Sequence, residues 1–529
     1  MKMTLPGLVC ALLAASSVFA QSTTLPATAP PLMTAAAAAR FLDQAAWGPA
    51  PYSIAELQQV GIDEWLAAQF SMNVSDLPDQ PVLNSLGKSN NDLTPIQRAF
   101  FVNALYEPDQ LRQRVAFALS QMWVVSAVGV PPAYAYPPYW RMFRDNAFTN
   151  YRDVIRAVTL NPAMGSYLNM ANNNKANAAK GTSANENYAR ELMQLFTLGL
   201  TQLHPDGSPV LDANGSPVPT YNQAIVTSLA KALTGWTYPP APGATPAASG
   251  NNPAFFVGEM YAVEKNHDTT SKSIFAGITI AAGQTAEQDL ESVINALMQQ
   301  STVAPFVCTQ LIQHLVTGNP SPAYIHRCSN VFFNNGEGVR GDMKAVISEI
   351  LSDSEARAYD NPGNIVDPNF GHMREPVLFM ANLLRGLNAT LSTSSTPYST
   401  ANKLGQNLFS PPTVFSYFSP LYRLESGSFA PEFQIYTTQT AANRADTVNS
   451  LLYGKLDSGT SVDLTAFVRA AGNLDNLMSL VNSIFLHGSM SSDLNNNARA
   501  AVNGATTPTA VAQGVLYMVL TSGEYQIVH

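Results

Sequence analysis

Charge is what this chain has least of. Only 12% of its 529 residues are Asp, Glu, Lys or Arg, 28 basic against 37 acidic, for a net charge of −9. No Lys/Arg cluster offers the electrostatic footprint that phosphate backbones need, which argues against a nucleic-acid partner. Cysteine is scarce as well, with 3 residues, and the 7 histidines are scattered, so a redox or metal-storage protein is the least supported class. No metal or cofactor is assigned. Past the first twenty residues, no stretch supplies the ~18 uncharged apolar residues of a membrane-spanning helix. Also missing are HExxH, GxSxG, CxxCH and GxxxxGK[ST], the signatures of zinc proteases, α/β-hydrolases, c-type haem and phosphate-binding loops. Ser85 to Lys88 does spell SxxK, but in a polar loop with no KTG partner it reads as chance.

What is present begins with MKMTLPGLVCALLAASSVFAQ, where Lys2 precedes an apolar run and small residues precede a cut at Gln21. Residues 1–20 are therefore expected to be a secretory signal. Cys10 sits too early in the apolar run for lipid attachment, so a soluble exported protein, periplasmic or extracellular, is expected. Residues 21–33 are Pro/Thr-rich and read as a tether. The region 34–529 reads as a single helical region, with two lobes divided near 238–253 as an alternative because YPPAPGATPAASGNNP is rich in Pro, Ala and Gly.

From Thr34 the pattern is one of short amphipathic segments. TAAAAARFLDQAAWG has an N-cap candidate and a terminal Gly48; SIAELQQVG repeats the plan, with Ser53 and Glu56 as a capping box and Gly61 as the stop. Further helices are expected over 94–105, 109–126, 151–159, 221–233, 286–299, 302–317, 323–333, 342–351, 375–387 and 509–520. The fold class is thus mainly α, a multi-helical globular array. One interruption is expected near 201–220, where DGSPV and NGSPV recur eight residues apart and predict a small β-hairpin or meander with two-residue turns. Asp212, Asn214 and Gly215 there also resemble part of a calcium loop, but the closing acidic residue is missing, so turn chemistry is the better reading. Cys308 and Cys328 lie on two expected antiparallel helices and are either a disulfide or two buried thiols.

The stretch GTSANENYARELMQLFTLGL, 181–200, concentrates charge on one helix. Ser183 with Glu186 reads as a capping box and Gly199 as a left-handed stop. Glu186 with Arg190, and Asn187 with Glu191, are i,i+4 neighbours that pair on a solvated face. HDTTSKSIFAG offers His267 and Asp268 as metal or acid–base candidates; the plainer reading is a turn in which Asp268 bonds nearby amides and Lys272 meets a carboxylate. In GHMREPV, Arg374 and Glu375 stand at a helix entrance marked by Pro376, with His372 before them, and the expected partner of Arg374 is Glu186 or Glu191. Arg112 and Arg114 in DQLRQRVAF are either anion receptors or core-rim arginines bonding helix C-terminal carbonyls. Trp236 is expected to pack.

NENYARELMQLFTLG resembles the hallmark of a bacterial family known as domain of unknown function 1800. AARFLDQAAWGP, DQLRQRVAFALSQMWVVS, NPAMGSYLN, LHPDGSPVLDANGSPVPTY, AKALTGW, HDTTSKSIFAG, LIQHLVTGNPSP, REPV, SPPTVFSYFSP and LTSGEYQ are similar to it in the same order. The resemblance implies an exported, mostly helical protein encoded beside a family that resembles sulfatases. Two functions follow as expectations. In the first, the protein binds or assists a sulfatase-like partner, and its ionic side chains are used up in helix pairing. In the alternative, it is an enzyme acting on a polymer, with Glu186 or Glu191 as acid or base, Arg190 or Arg374 holding an anionic group, and His267 with Asp268 assisting around one shared pocket.

Overall fold

The computed structural model describes residues 32–275, 277–360 and 369–529. The export signal expected over 1–20 and residues 21–31 of the tether lie outside them. The described residues form a mainly α fold, with 21 α-helical segments and only short two-stranded antiparallel sheets.

Local chemistry accounts for many of the helix ends. Thr34 accepts from the Ala37 amide and opens Ala35–Ala45, and Thr285 with Gln288 forms a capping box for Ala286–Gln299. The second expected helix is revised. It starts earlier, with Pro51 at its first position, so Ser53 lies inside the first turn and its hydroxyl accepts from the Ala50 amide at 2.9 Å. Gly61 does not end it; with φ 78° it kinks a helix that runs on to Ser71. The amphipathic faces meet in one contiguous apolar core that extends from Ala38 to Tyr525, and each fully buried large side chain contributes roughly 1.5–3 kcal/mol.

Residues 200–220 form the expected meander. Gln202 and Val210 share an antiparallel hydrogen bond of 2.8 Å, and Val210 and Val218 one of 2.9 Å. The turns differ from the two-residue form. The His204 carbonyl accepts from Gly207, whose φ is 80°, so the loop closes over three residues with glycine in the left-handed position. Asp212 Oδ1 accepts from the Asn214 and Ser216 amides at 2.9 Å each, which commits that carboxylate to the turn.

Cys308 on Val303–Leu315 and Cys328 on Pro322–Phe333 form a disulfide with Cα atoms 5.9 Å apart. Closing that loop stabilises by about 3 kcal/mol. Among the described residues, no helix is long and apolar enough to cross a membrane.

A buried polar cluster lies within the fold as well. Asp43, on the first helix, has its Oδ2 2.6 Å from Arg374 Nη2 and 2.8 Å from His487 Nε2, and its Oδ1 accepts from Asn382 at 2.5 Å. Asn382 in turn accepts from the Tyr525 hydroxyl at 2.6 Å. Arg374 also donates to the Tyr525 and Ile527 carbonyls, and Arg444 donates to the Arg374 carbonyl at 2.7 Å. Burial alone would raise the Asp43 carboxyl, but Arg374 and His487 outweigh it and hold the group well below the usual carboxylate range. Replacing Asp43 by alanine strands a guanidinium in the core; a loss of about 3–5 kcal/mol is expected in denaturant unfolding. Burial pushes His487 down to about 4 against an ordinary 6.5. The unfolded chain therefore takes up this proton below about pH 6.5 while the folded protein refuses it until about pH 4. Stability contributed by the neutral ring falls with pH across that window, by at most ~1.4 kcal/mol per unit. Thermal unfolding of wild type and His487→Gln between pH 7 and 4 is expected to show a shallower slope in the variant.

Candidate functional site

The charged helix of 181–200 is shorter than its sequence pattern. It is α-helical over Asn187–Glu191 and π-helical over Leu192–Thr197, where the Leu198 amide reaches Met193 at 2.8 Å and Thr197 Oγ1 donates to the Leu192 carbonyl at 2.6 Å. Ser183 lies outside it, and no capping box forms. Glu186 turns instead to the neighbouring helix Gln223–Ala232, accepting from Gln223 Nε2 and Thr227 Oγ1 at 2.8 Å each. Those bonds, with Arg190 at 3.2 Å, hold its carboxyl below the usual range. Asn187 meets Asn169, not Glu191. Glu191 is half-buried, burial raises its carboxyl against the pull of Arg190, and its Oε2 has no hydrogen-bond partner. Gly199 takes the left-handed conformation expected of it, with φ 71°.

The other candidates land elsewhere. His267 is fully buried, with Nδ1 2.9 Å from the Thr234 carbonyl and Nε2 3.1 Å from Asp289. Lys272 pairs with the same Asp289 oxygen at 2.7 Å, while Asp268 accepts from the Thr270 amide at 2.9 Å. Arg374 does not reach Glu186 or Glu191; a nearer carboxylate, Asp43, claims it. Trp236 is buried in the core. Arg112 donates to the Arg144 and Phe70 carbonyls and lies over the Phe148 ring at 4.5 Å. Glu186 with Arg190, His267 with Asp289, and Arg374 with Asp43 thus belong to three separate partner sets, and none of these residues lines either cavity described next.

A different set of polar side chains converges. Helix Gln110–Met122 places Arg114 and Gln121 two turns apart, and helix Val303–Leu315 brings Gln310, Gln313 and His314 beside them. Arg114 donates to the His314 carbonyl at 2.5 Å, the helix-end contact open to it from sequence. Glu375, at the start of Pro376–Gly386, accepts from Gln121 at 3.0 Å and from Gln406 at 2.5 Å. His372 Nδ1 lies 3.2 Å from Glu432 Oε1. Loop 410–420 closes over this group, with Ser416 at φ 69°.

Between them is a cavity of about 20 Å³ whose walls include Gln121, Gln310, Phe415, Ser416, Phe418 and Glu432. A second, of about 30 Å³, shares Gln121 and Ser416 and is otherwise mostly aromatic and apolar. Four atoms on residues lining the first are buried without a hydrogen-bond partner: Gln121 Oε1, Gln310 Nε2, Ser416 Oγ and Glu432 Oε2. Burial raises the Glu375 carboxyl against the opposing charge of Arg114, and pushes His314 down to about 3 with Arg114 adding to the effect. The sequence reading weighed Arg114, His372 and Glu375 but missed Gln121, Gln310, His314, Ser416 and Glu432. The available signal was polar residues interrupting apolar helices, as in LIQHLV.

A model of the family described as Protein of unknown function (DUF1800) matches residues 40–527. The chain belongs to that family. No curated protein and no solved structure matches it. Of the stretches quoted for the resemblance, DQLRQRVAFALSQMWVVS, LIQHLVTGNPSP, REPV and SPPTVFSYFSP build this DUF1800 cavity and its supports, whereas the charges of NENYARELMQLFTLG lie outside it.

The two kinds of polar group differ in what their loss does. Asp289→Ala leaves Lys272 buried without its carboxylate and is expected to cost about 3–5 kcal/mol. Glu186→Gln, on a partly exposed pair, is expected to cost under about 1 kcal/mol. Urea midpoints of the two variants check this ordering.

Proposed function

We propose that this DUF1800 chain is an exported ligand-binding protein, accessory to a partner of the sulfatase-like class that the family resemblance implies. The cleft between helices Gln110–Met122 and Val303–Leu315 is its binding site. Export is supported by the signal-like first twenty residues and by the disulfide, which suits an oxidising compartment. The observation that carries the binding reading is the set of four partnerless buried polar atoms around one cavity. Each unmet group costs about 1–3 kcal/mol, so such a concentration fits a site shaped for a polar ligand better than it fits packing.

An acid–base enzyme is the second reading. It is favoured by His372 and Glu432 forming a dyad near Glu375, a carboxyl raised by burial.

Thermal shift of the purified mature chain against amino acids, polyamines, sugars and amino sugars separates the two, with mass spectrometry of each hit after incubation. Binding predicts a hit that raises the melting temperature, is recovered unchanged, and loses its effect in Gln121→Leu. Turnover that disappears in Glu432→Gln supports the enzyme instead, and the absence of any hit overturns both.

A further inference from the structure

We propose that this cleft recognises a protonated primary amine, its ammonium head set against Glu432 and Gln121, with an oxygen on the neighbouring carbon facing Gln310. The assignment rests on the cleft being a binding site and goes further by naming the chemistry it takes.

Size comes first. A volume of about 20 Å³ accepts one water-sized group, and an ammonium head is of that size, the rest of the ligand lying outside that space.

The directions of the unmet bonds come second. Gln121 donates its Nε2 to Glu375, so its amide orientation is fixed and Oε1 is left over as an acceptor. Glu432 has Oε1 beside His372, which leaves Oε2 as a second acceptor. Ser416 Oγ serves as a third. An ammonium carries three donors and no acceptor, and so matches three acceptors. A hydroxyl offers one donor and leaves two acceptors unmet. The remaining partnerless atom, Gln310 Nε2, is a donor and calls for an oxygen on the same ligand.

The walls come third. Arg114 acts on Glu375, Asp43 and Glu432, and Arg444 acts on Glu432 as well, so the buried charges around the cleft are balanced. The unmet atoms of the cavity-lining residues are mostly carboxylate, amide and hydroxyl oxygens, which an anion would meet unfavourably. Phe415 and Phe418 add aromatic walls, a setting that favours organic cations. A metal ion is a poorer match. Mg²⁺ and Ca²⁺ ask for six or more oxygen ligands, and the described residues contain no group of three or more His, Cys, Asp or Glu placed to hold a metal.

Titration calorimetry with paired probes tests the assignment: ethanolamine against ethylene glycol, and glucosamine against glucose. Each amine is expected to bind at least tenfold more tightly than its neutral counterpart. Its affinity is expected to fall as pH rises through the amine's own pKa, because only the protonated form fits. Glu432→Gln is expected to lose at least tenfold in amine affinity; should that variant fail to fold, the wild-type pH profile carries the test alone. Neutral probes binding as well as the amines would overturn the amine assignment and leave the binding reading standing. No binding by any of the four probes would also overturn it, while the wider ligand panel decides the binding reading independently. Preference of ethanolamine over glucosamine, or the reverse, tells a small amino alcohol from an amino sugar.

Discussion

The pairing of Arg374 with Asp43 is the constraint on which the architecture turns. A guanidinium 1% exposed has almost no water to turn to, so its donors depend on oxygens within the fold, which Nη1 and Nη2 find while Nε is left unpartnered. The oxygens it finds belong to the first helix and to the Tyr525 and Ile527 carbonyls of the C-terminal segment. Residues separated by several hundred positions are thereby fixed around one side chain. Strand His372–Met373 pairs with Ile527–Val528 beside it, and this places Glu375 and His372 where the cleft needs them.

Low charge content explains why these ionic groups matter. Arg40, Arg114, Arg374, Arg385 and Arg444 are all less than a tenth exposed, as are Asp43, Asp289, Glu375 and Glu432. A chain with few charged residues has placed many of them inside, where a pair is costly to break but contributes little net stability over an apolar substitute. Their value is specificity of arrangement. Each buried arginine selects particular carbonyls and carboxylates, as Arg385 does with the carbonyls of Gly48, Ala104 and Leu105.

Helix positions were legible because caps and apolar spacing act locally. The pattern placed a helix over 286–299, and Ala286–Gln299 is observed. Thr438–Tyr453 and Ser492–Ala501 escaped it, being rich in Thr and Asn, whose weak helix propensity is overridden by burial of Val448, Leu451, Leu452, Leu494 and Ala498. Partner choice was illegible for a different reason. Glu186 prefers Gln223 and Thr227, and Arg374 prefers Asp43, because the order in which helices stack decides which carboxylate is near, and no local spacing encodes that. The cleft suffered most: Gln121, Gln310 and Glu432 look like ordinary helix or loop polar residues until the chain brings them to one cavity.

What distinguishes the cleft from the other polar clusters is the cavity at its unmet bonds together with the rigidity of its walls. In the His267, Asp289 and Lys272 cluster, Asp289 gives one oxygen to both side chains and its Oδ1 is likewise unpartnered, but it lines neither of the two cavities. In the cleft, Glu432 shares one oxygen with His372 and keeps the other free. The helix carrying Gln310 is held by the Cys308 to Cys328 disulfide at its middle and by Arg114 at its end, so its amides have little freedom to turn toward each other. Gln121 is likewise held by Glu375. A wall fixed in this way keeps its acceptors apart at the cost of leaving them unmet, and that cost is recovered when a ligand with matching donors arrives.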